Sequence, residues 1–102
     1  MSVFITLRIK ADPSRLQEVM ASNEARWQAI NSRAKELGAI HHRFMAGADG
    51  TEILVLDEWE SAEAFQKFFE ASDDIRAMMG EVGVTSEPEV TFWHALDTPD
   101  AF

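Results

Sequence analysis

The sequence predicts an α+β protein built on a four-stranded antiparallel sheet, and three observations carry that expectation. Stretches that alternate between two faces recur four times, in "VFITLRI", "AIHHRFM", "EILVLDEW" and "VTFWHAL". Helix-period stretches separate the first from the second and the third from the fourth. The middle two strands are joined by "AGADGT", whose Asp49-Gly50 pair is a hairpin turn signal. The resulting order, β-α-β-β-α-β, is the ferredoxin-like split βαβ arrangement, with the helices on one sheet face.

In the first strand Val3, Ile5, Leu7 and Ile9 share one face and Phe4, Thr6 and Arg8 the other. Asp12 can cap the helix that follows, with Pro13 at its first position, where a missing N–H costs nothing. This helix is expected to run to Leu37 and stop at Gly38. Its apolar stripe is Leu16, Val19, Met20, Trp27, Ile30, Ala34 and Leu37, interrupted by the polar Asn23. The second strand is expected over Ala39 to Met45 and the third up to Trp59. Ser61 is expected to cap the next helix, with Glu63 complementing its dipole and Phe65, Phe68 and Phe69 buried. Ser72, Asp73 and Asp74 start a short helix carrying Ile75, Met78 and Met79, ended by Gly80 and Gly83. The last strand follows Pro88 and runs through "VTFWHAL", and "DTPDAF" is a tail. With no repeat and no linker, residues 1–102 are expected to form a single domain.

A sheet covered by helices on one side and water on the other shows polar residues at alternate positions. Here the faces holding Phe4/Thr6, Leu54/Leu56 and Trp93/Ala95 are largely apolar, as are the faces behind them. An uncovered apolar face marks an interface, so a homodimer packed sheet face to sheet face is expected.

The chain has 102 residues, 46% hydrophobic and 26% charged, with net charge −9. Residues 1–48 hold seven basic and four acidic side chains, whereas residues 49–102 hold two and fourteen. Such an acidic half repels phosphate, which argues against nucleic acid and anionic membranes as partners. No apolar run approaches the ~20 residues of a membrane span. There is no cysteine, so no disulfide framework or thiolate site. The opening residues lack the pattern of a secretory leader, and a cytoplasmic location is expected.

The stretch "ILVLDEWESAEAFQKFFEAS", with an acidic residue two before a Trp and then a capped helix, resembles the dimeric α+β barrel superfamily, specifically antibiotic-biosynthesis-monooxygenase-like domains. Asp57 takes the acidic position, where that family more often has Glu, and Trp59 the Trp position. The resemblance implies a homodimer, a cavity between sheet and helices, and, in the cofactor-independent members, oxygenation of an aromatic substrate beside the Trp without a cofactor. Haem-degrading members carry a His on the second helix and an Asn on the first strand. Here Phe68 occupies the approximate place of the His, and "VFITLRI" has no Asn, so haem degradation is not expected. The quinone-forming oxygenases often place an Asn four residues before the Trp, where this chain has Val55.

His41 and His42 invite a metal or a base. Adjacent strand residues point to opposite faces, so the pair cannot share one metal, and the third histidine, His94, lies on another strand. No metal site is expected, and a structural role is favoured for both, with His42 the candidate base of the pair. Asp57, two before Trp59, shares its strand face and points toward the helices. It is a general-base candidate, with ion pairing to Arg26, Arg33 or Arg43 the competing expectation. Trp59 offers a flat wall for a planar ligand or, equally, a core aromatic. Asn23 and Trp27, one turn apart, contribute an amide and an indole on the same helix face, and Phe65 and Phe68 complete the candidate binding set.

Two functions compete: a cofactor-independent monooxygenase-like enzyme for a small planar aromatic compound, and a non-catalytic homodimer that binds a small apolar ligand. A barrel whose cavity is filled by its own aromatics is a third. A pocket separates the first two from the last.

Overall fold

A computed structural model of the chain describes residues 2–102. Its elements are β1 (Val3–Lys10), α1 (Pro13–Ser22), α2 (Glu24–Leu37), β2 (Ala39–Ala46), β3 (Glu52–Trp59), α3 (Ala62–Glu70), α4 (Asp73–Val82) and β4 (Glu89–Trp93). The strands form one antiparallel sheet in the order β2-β3-β1-β4, so the expected ferredoxin-like α+β fold is the one observed.

Alternation in β1 and β3 builds the core. Val3, Ile5, Leu7 and Ile9 lie opposite Trp59, Asp57, Val55 and Ile53, and all eight are buried. Leu16 and Val19 from α1, Trp27 and Ile30 from α2, Phe65 and Phe68 from α3, and Met78 and Val82 from α4 pack onto that face. On the opposite face Phe4 lies across from Trp93 and Thr6 from Leu56, and the Trp93 indole donates to Thr6 Oγ1 at 2.9 Å. Leu56, Met45 and Trp93 remain exposed there, at 38, 44 and 54%. Polar pairs rim this face: the Arg8–Glu52 ion pair at 2.9 Å, and His41 hydrogen-bonded to Glu58 at 2.8 Å.

Three boundaries differ from the sequence expectation. The long first helix is two helices, broken at Asn23. The Asn23 side chain donates to Val19 O at 2.7 Å and its backbone N–H to Met20 O at 3.1 Å, closing α1, while its own carbonyl receives the Trp27 N–H of α2. Asn competes for backbone partners in this way, and that competition ends a helix. Gly80 does not stop α4, which continues through Val82, held by that side chain's burial, to a left-handed Gly83. β4 ends at Trp93 rather than Leu96 because Trp93 already faces Phe4, one residue from the start of β1, and little strand is left to pair with.

α2 stops at Gly38, whose φ of 123° suits only glycine and whose surroundings, Glu60 and Ala64, leave little room for a Cβ. The chain enters β2 through a bulge: Ala39 faces Trp59, but His41 faces Glu58, leaving Ile40 as an extra residue. At the other end Asp49 accepts from the Thr51 N–H, and the Gly47 N–H bonds to Glu52 O, fixing the hairpin.

Candidate active site

The bulge decides which histidine faces the helices. Counting by strict alternation from Ala39 would turn His41 inward. The extra residue inverts that count, so His42 lies opposite Asp57 on the covered face and His41 opposite Glu58 on the open one. His42 Nδ1 lies 2.7 Å from Asp57 Oδ1. The Trp59 indole, two residues along the same strand face, donates to Asp57 Oδ2 at 3.1 Å. Both carboxylate oxygens are thus engaged in a side chain only 8% exposed. In the neutral imidazole, donation from Nδ1 to the Asp57 carboxylate leaves the lone pair on Nε2, which has no protein partner among the described residues. The competing expectation that Asp57 pairs with an arginine does not hold: Arg26 reaches Glu81 and Asn23, Arg33 forks onto Asp74, and Arg43 lies opposite Leu56 on the open face.

These groups border a cavity of about 740 Å³ between the sheet and the helices. Its walls are mostly aromatic and aliphatic, with Trp27, Ile30, Phe44, Val55, Trp59 and Phe68 among them. Trp59 packs against Phe65 and Phe68 at ring distances of 5.7 and 5.2 Å. Phe44, which shares a strand face with His42, meets that imidazole edge-on at 4.8 Å and Trp27 at 5.7 Å. The wall is braced from behind at Phe68. Arg33 lies over its ring at 5.3 Å and donates two hydrogen bonds to Asp74 and one to Ser72, whose hydroxyl in turn donates to Phe68 O. The Arg33 guanidinium holds the Asp74 carboxyl below the usual aspartate range.

Of the candidate residues, His42, Asp57, Trp27, Trp59, Phe65 and Phe68 border this cavity, and His41 also contributes to its lining although its ring bonds Glu58 on the open sheet face; Asn23 does not border it. Asn23 is consumed at the α1–α2 junction, where its side-chain oxygen Oδ1 accepts from Arg26 at 2.9 Å. His41 is on the other sheet face, bonded to Glu58, whose carboxyl is pulled below its ordinary range by the Ser2 hydroxyl and then by His41. His94 lies beyond β4 and is exposed. Among the described residues no three His, Asp or Glu side chains converge as a metal-binding group. Phe44 and Met79 were not anticipated as lining. Phe44 could have been found from its spacing of two from His42, whereas Met79 depends on where α4 packs.

An apolar cavity between the sheet and the helices, with one imidazole–carboxylate–indole chain on its floor, defines a class: an α+β sheet protein with a cavity on its helix-covered face. Residues 2–81 match the antibiotic biosynthesis monooxygenase family, and the chain belongs to that family. No curated protein matches. Among solved structures, a monooxygenase from the gene ActVA-Orf6 of Streptomyces coelicolor, in complex with nanaomycin D, aligns at 17% identity and a TM-score of 0.71, covering 95% of this chain and 89% of that one. SnoaB, a cofactor-independent oxygenase from Streptomyces nogalater, aligns at 18% and 0.67 over 98% of each. A dimeric ferredoxin-like protein from an uncultured marine organism aligns at 17% and 0.68, covering 95% and 90%. Likeness at these identities establishes the shared fold. No helix among the described residues is long and apolar enough to cross a membrane.

Proposed function

We propose that this protein is a cofactor-independent monooxygenase that oxidises a small planar aromatic compound, working as a cytoplasmic homodimer of single-domain subunits joined through the open sheet face. The observation that carries the reading is the His42–Asp57–Trp59 chain on the floor of an aromatic cavity. A flat substrate stacks in that cavity with an activated C–H toward His42 Nε2. The C–H bond breaks, its proton moves to Nε2, and the electron pair stays on the substrate as a resonance-stabilised carbanion. That carbanion reduces dioxygen directly, forming a C–O bond and a peroxide anion, which takes the proton back from His42. Loss of water from the hydroperoxide then leaves a carbonyl, so one oxygen atom enters the product and the other leaves as water.

Asp57 fixes the tautomer and orientation of His42, and Trp59 fixes Asp57, so the carboxylate is a positioning group rather than the base. Membership of the family and the likeness to two oxygenases support this reading, and the open cavity favours it over a barrel filled by its own side chains.

The test is oxygen uptake with planar aryl ketones carrying an acidic benzylic methylene. His42→Gln is expected to lower turnover by about 10²- to 10⁴-fold with ligand binding retained. Asp57→Asn should also lower it, through the wrong tautomer. Turnover untouched by His42→Gln would remove the histidine from the mechanism. A wild-type protein that binds these compounds without consuming oxygen would instead be a carrier.

A further inference from the structure

The buried polar side-chain atoms of the cavity wall have protein partners with one exception. Asp57 accepts through both oxygens, and the Trp59 indole donates to one of them. Trp27 borders the same cavity and is 6% exposed, yet its Nε1 is buried with no acceptor among the described residues. An indole N–H is a donor only, and burying it unpaired costs folding free energy that a bound acceptor recovers. Trp27 and His42 also meet one ring, Phe44, edge-on from α2 and from β2. The unpaired, buried donor and the unpaired imidazole nitrogen therefore belong to side chains that both touch Phe44.

We infer that Trp27 is a ligand-positioning residue, its Nε1–H donating to a carbonyl oxygen on the aromatic occupant of the cavity. The inference rests on the cavity-binding reading above and adds a polarity to it. The occupant presents an acceptor oxygen to Trp27 and its carbon acid to His42. This favours an aryl ketone over a bare arene of the same shape and over an amine. The two contacts are chemically linked. When the C–H bond breaks and its proton moves to His42 Nε2, the electron pair delocalises onto the carbonyl oxygen as an enolate. The hydrogen bond from Trp27 strengthens as that charge develops, so it stabilises the carbanion more than the neutral ketone.

Fluorenone and fluorene differ by the carbonyl and share a flat shape, which makes them a matched pair of probes. The chain has three tryptophans, hence three indole N–H resonances in a ¹H–¹⁵N correlation spectrum. The Trp27 resonance is assigned by its loss in Trp27→Phe or, should that variant not fold, by elimination with Trp59→Phe and Trp93→Phe. On titrating wild-type protein, fluorenone is expected to move the Trp27 resonance downfield and fluorene to leave its hydrogen bonding unchanged. Wild type should hold fluorenone about fivefold more tightly than fluorene, and Trp27→Phe should bring the ratio of the two affinities to about one, whatever the smaller ring does to each. A resonance unmoved by bound fluorenone, or a preference that survives Trp27→Phe, overturns the inference and assigns the N–H to the face of Phe44. Equal binding of the two probes to wild type overturns the role of Trp27 alone. Binding of neither overturns the cavity-binding reading with it.

Discussion

At the scale of single residues, two positions show what spacing reveals and what it conceals. Asp57 and Trp59 are two apart on a strand, which places them on one face, and the structure joins them by a hydrogen bond. Their histidine partner, His42, was a named candidate, but its facing was not legible, because a single unpaired residue upstream inverts the strand's phase. Asn23 shows the opposite failure. Its place on the helical stripe suggested an inward amide, but its side chain bonds back to Val19 O and ends the helix instead. Asn23→Ala should therefore cost about 1 kcal/mol in stability, read by urea unfolding, and leave ligand affinity unchanged. A loss of affinity with stability preserved would return this amide to the site.

Elements were more legible than their ends. All four strands and the helical stretches followed from periodicity and turn signals, since each depends on its own residues. The ends depend on partners: β4 stops where β1 has little left to offer, and α4 passes through Gly80 because Val82 is buried beyond it. The brace between α2 and α4 is tertiary in the same sense, with Arg33 and Asp74 separated by 41 residues. Arg33 depresses the Asp74 pKa, so the pair's stabilisation is present above the ordinary aspartate value, about 3.9, and is lost as pH falls through the lower folded value. Asp74→Asn is expected to lower stability at neutral pH and to flatten the acid limb of an unfolding titration below about pH 4. Both side chains are more than a third exposed, so the change will be modest. An acid limb identical to wild type would show that the pair adds nothing.

At the scale of the whole molecule, the sheet has two apolar faces and the helices cover one. Exposed Leu56, Met45 and Trp93 lie inside a polar rim, the anatomy of a protein interface. Leu56→Glu would set a carboxylate near the middle of that face. Sedimentation should then give the mass of one chain where wild type gives two, with the cavity side of the sheet intact by the Asp57 contacts it retains. A wild-type protein sedimenting as a monomer would remove the dimer from the proposal. The cavity itself was legible only as an implication of family resemblance. Sequence periodicity assigns faces, but the distance between two covered layers is set by how all their side chains pack.

The unpaired Ile40 gives the two ends of β2 different tolerances to changes in length. The hairpin beyond Ala46 sets the register from one side, and the extra residue takes up the mismatch from the other. Losing Ile40 from the gene would close the ladder and leave both histidines facing as they do. Losing Ala46 would slide the strand by one place, turn His42 out of the cavity and bring His41 opposite Asp57. A relative one residue shorter in this strand can thus keep the same imidazole–carboxylate pair while drawing it from the neighbouring codon, and an alignment that matches histidine to histidine would mistake which of them does the work.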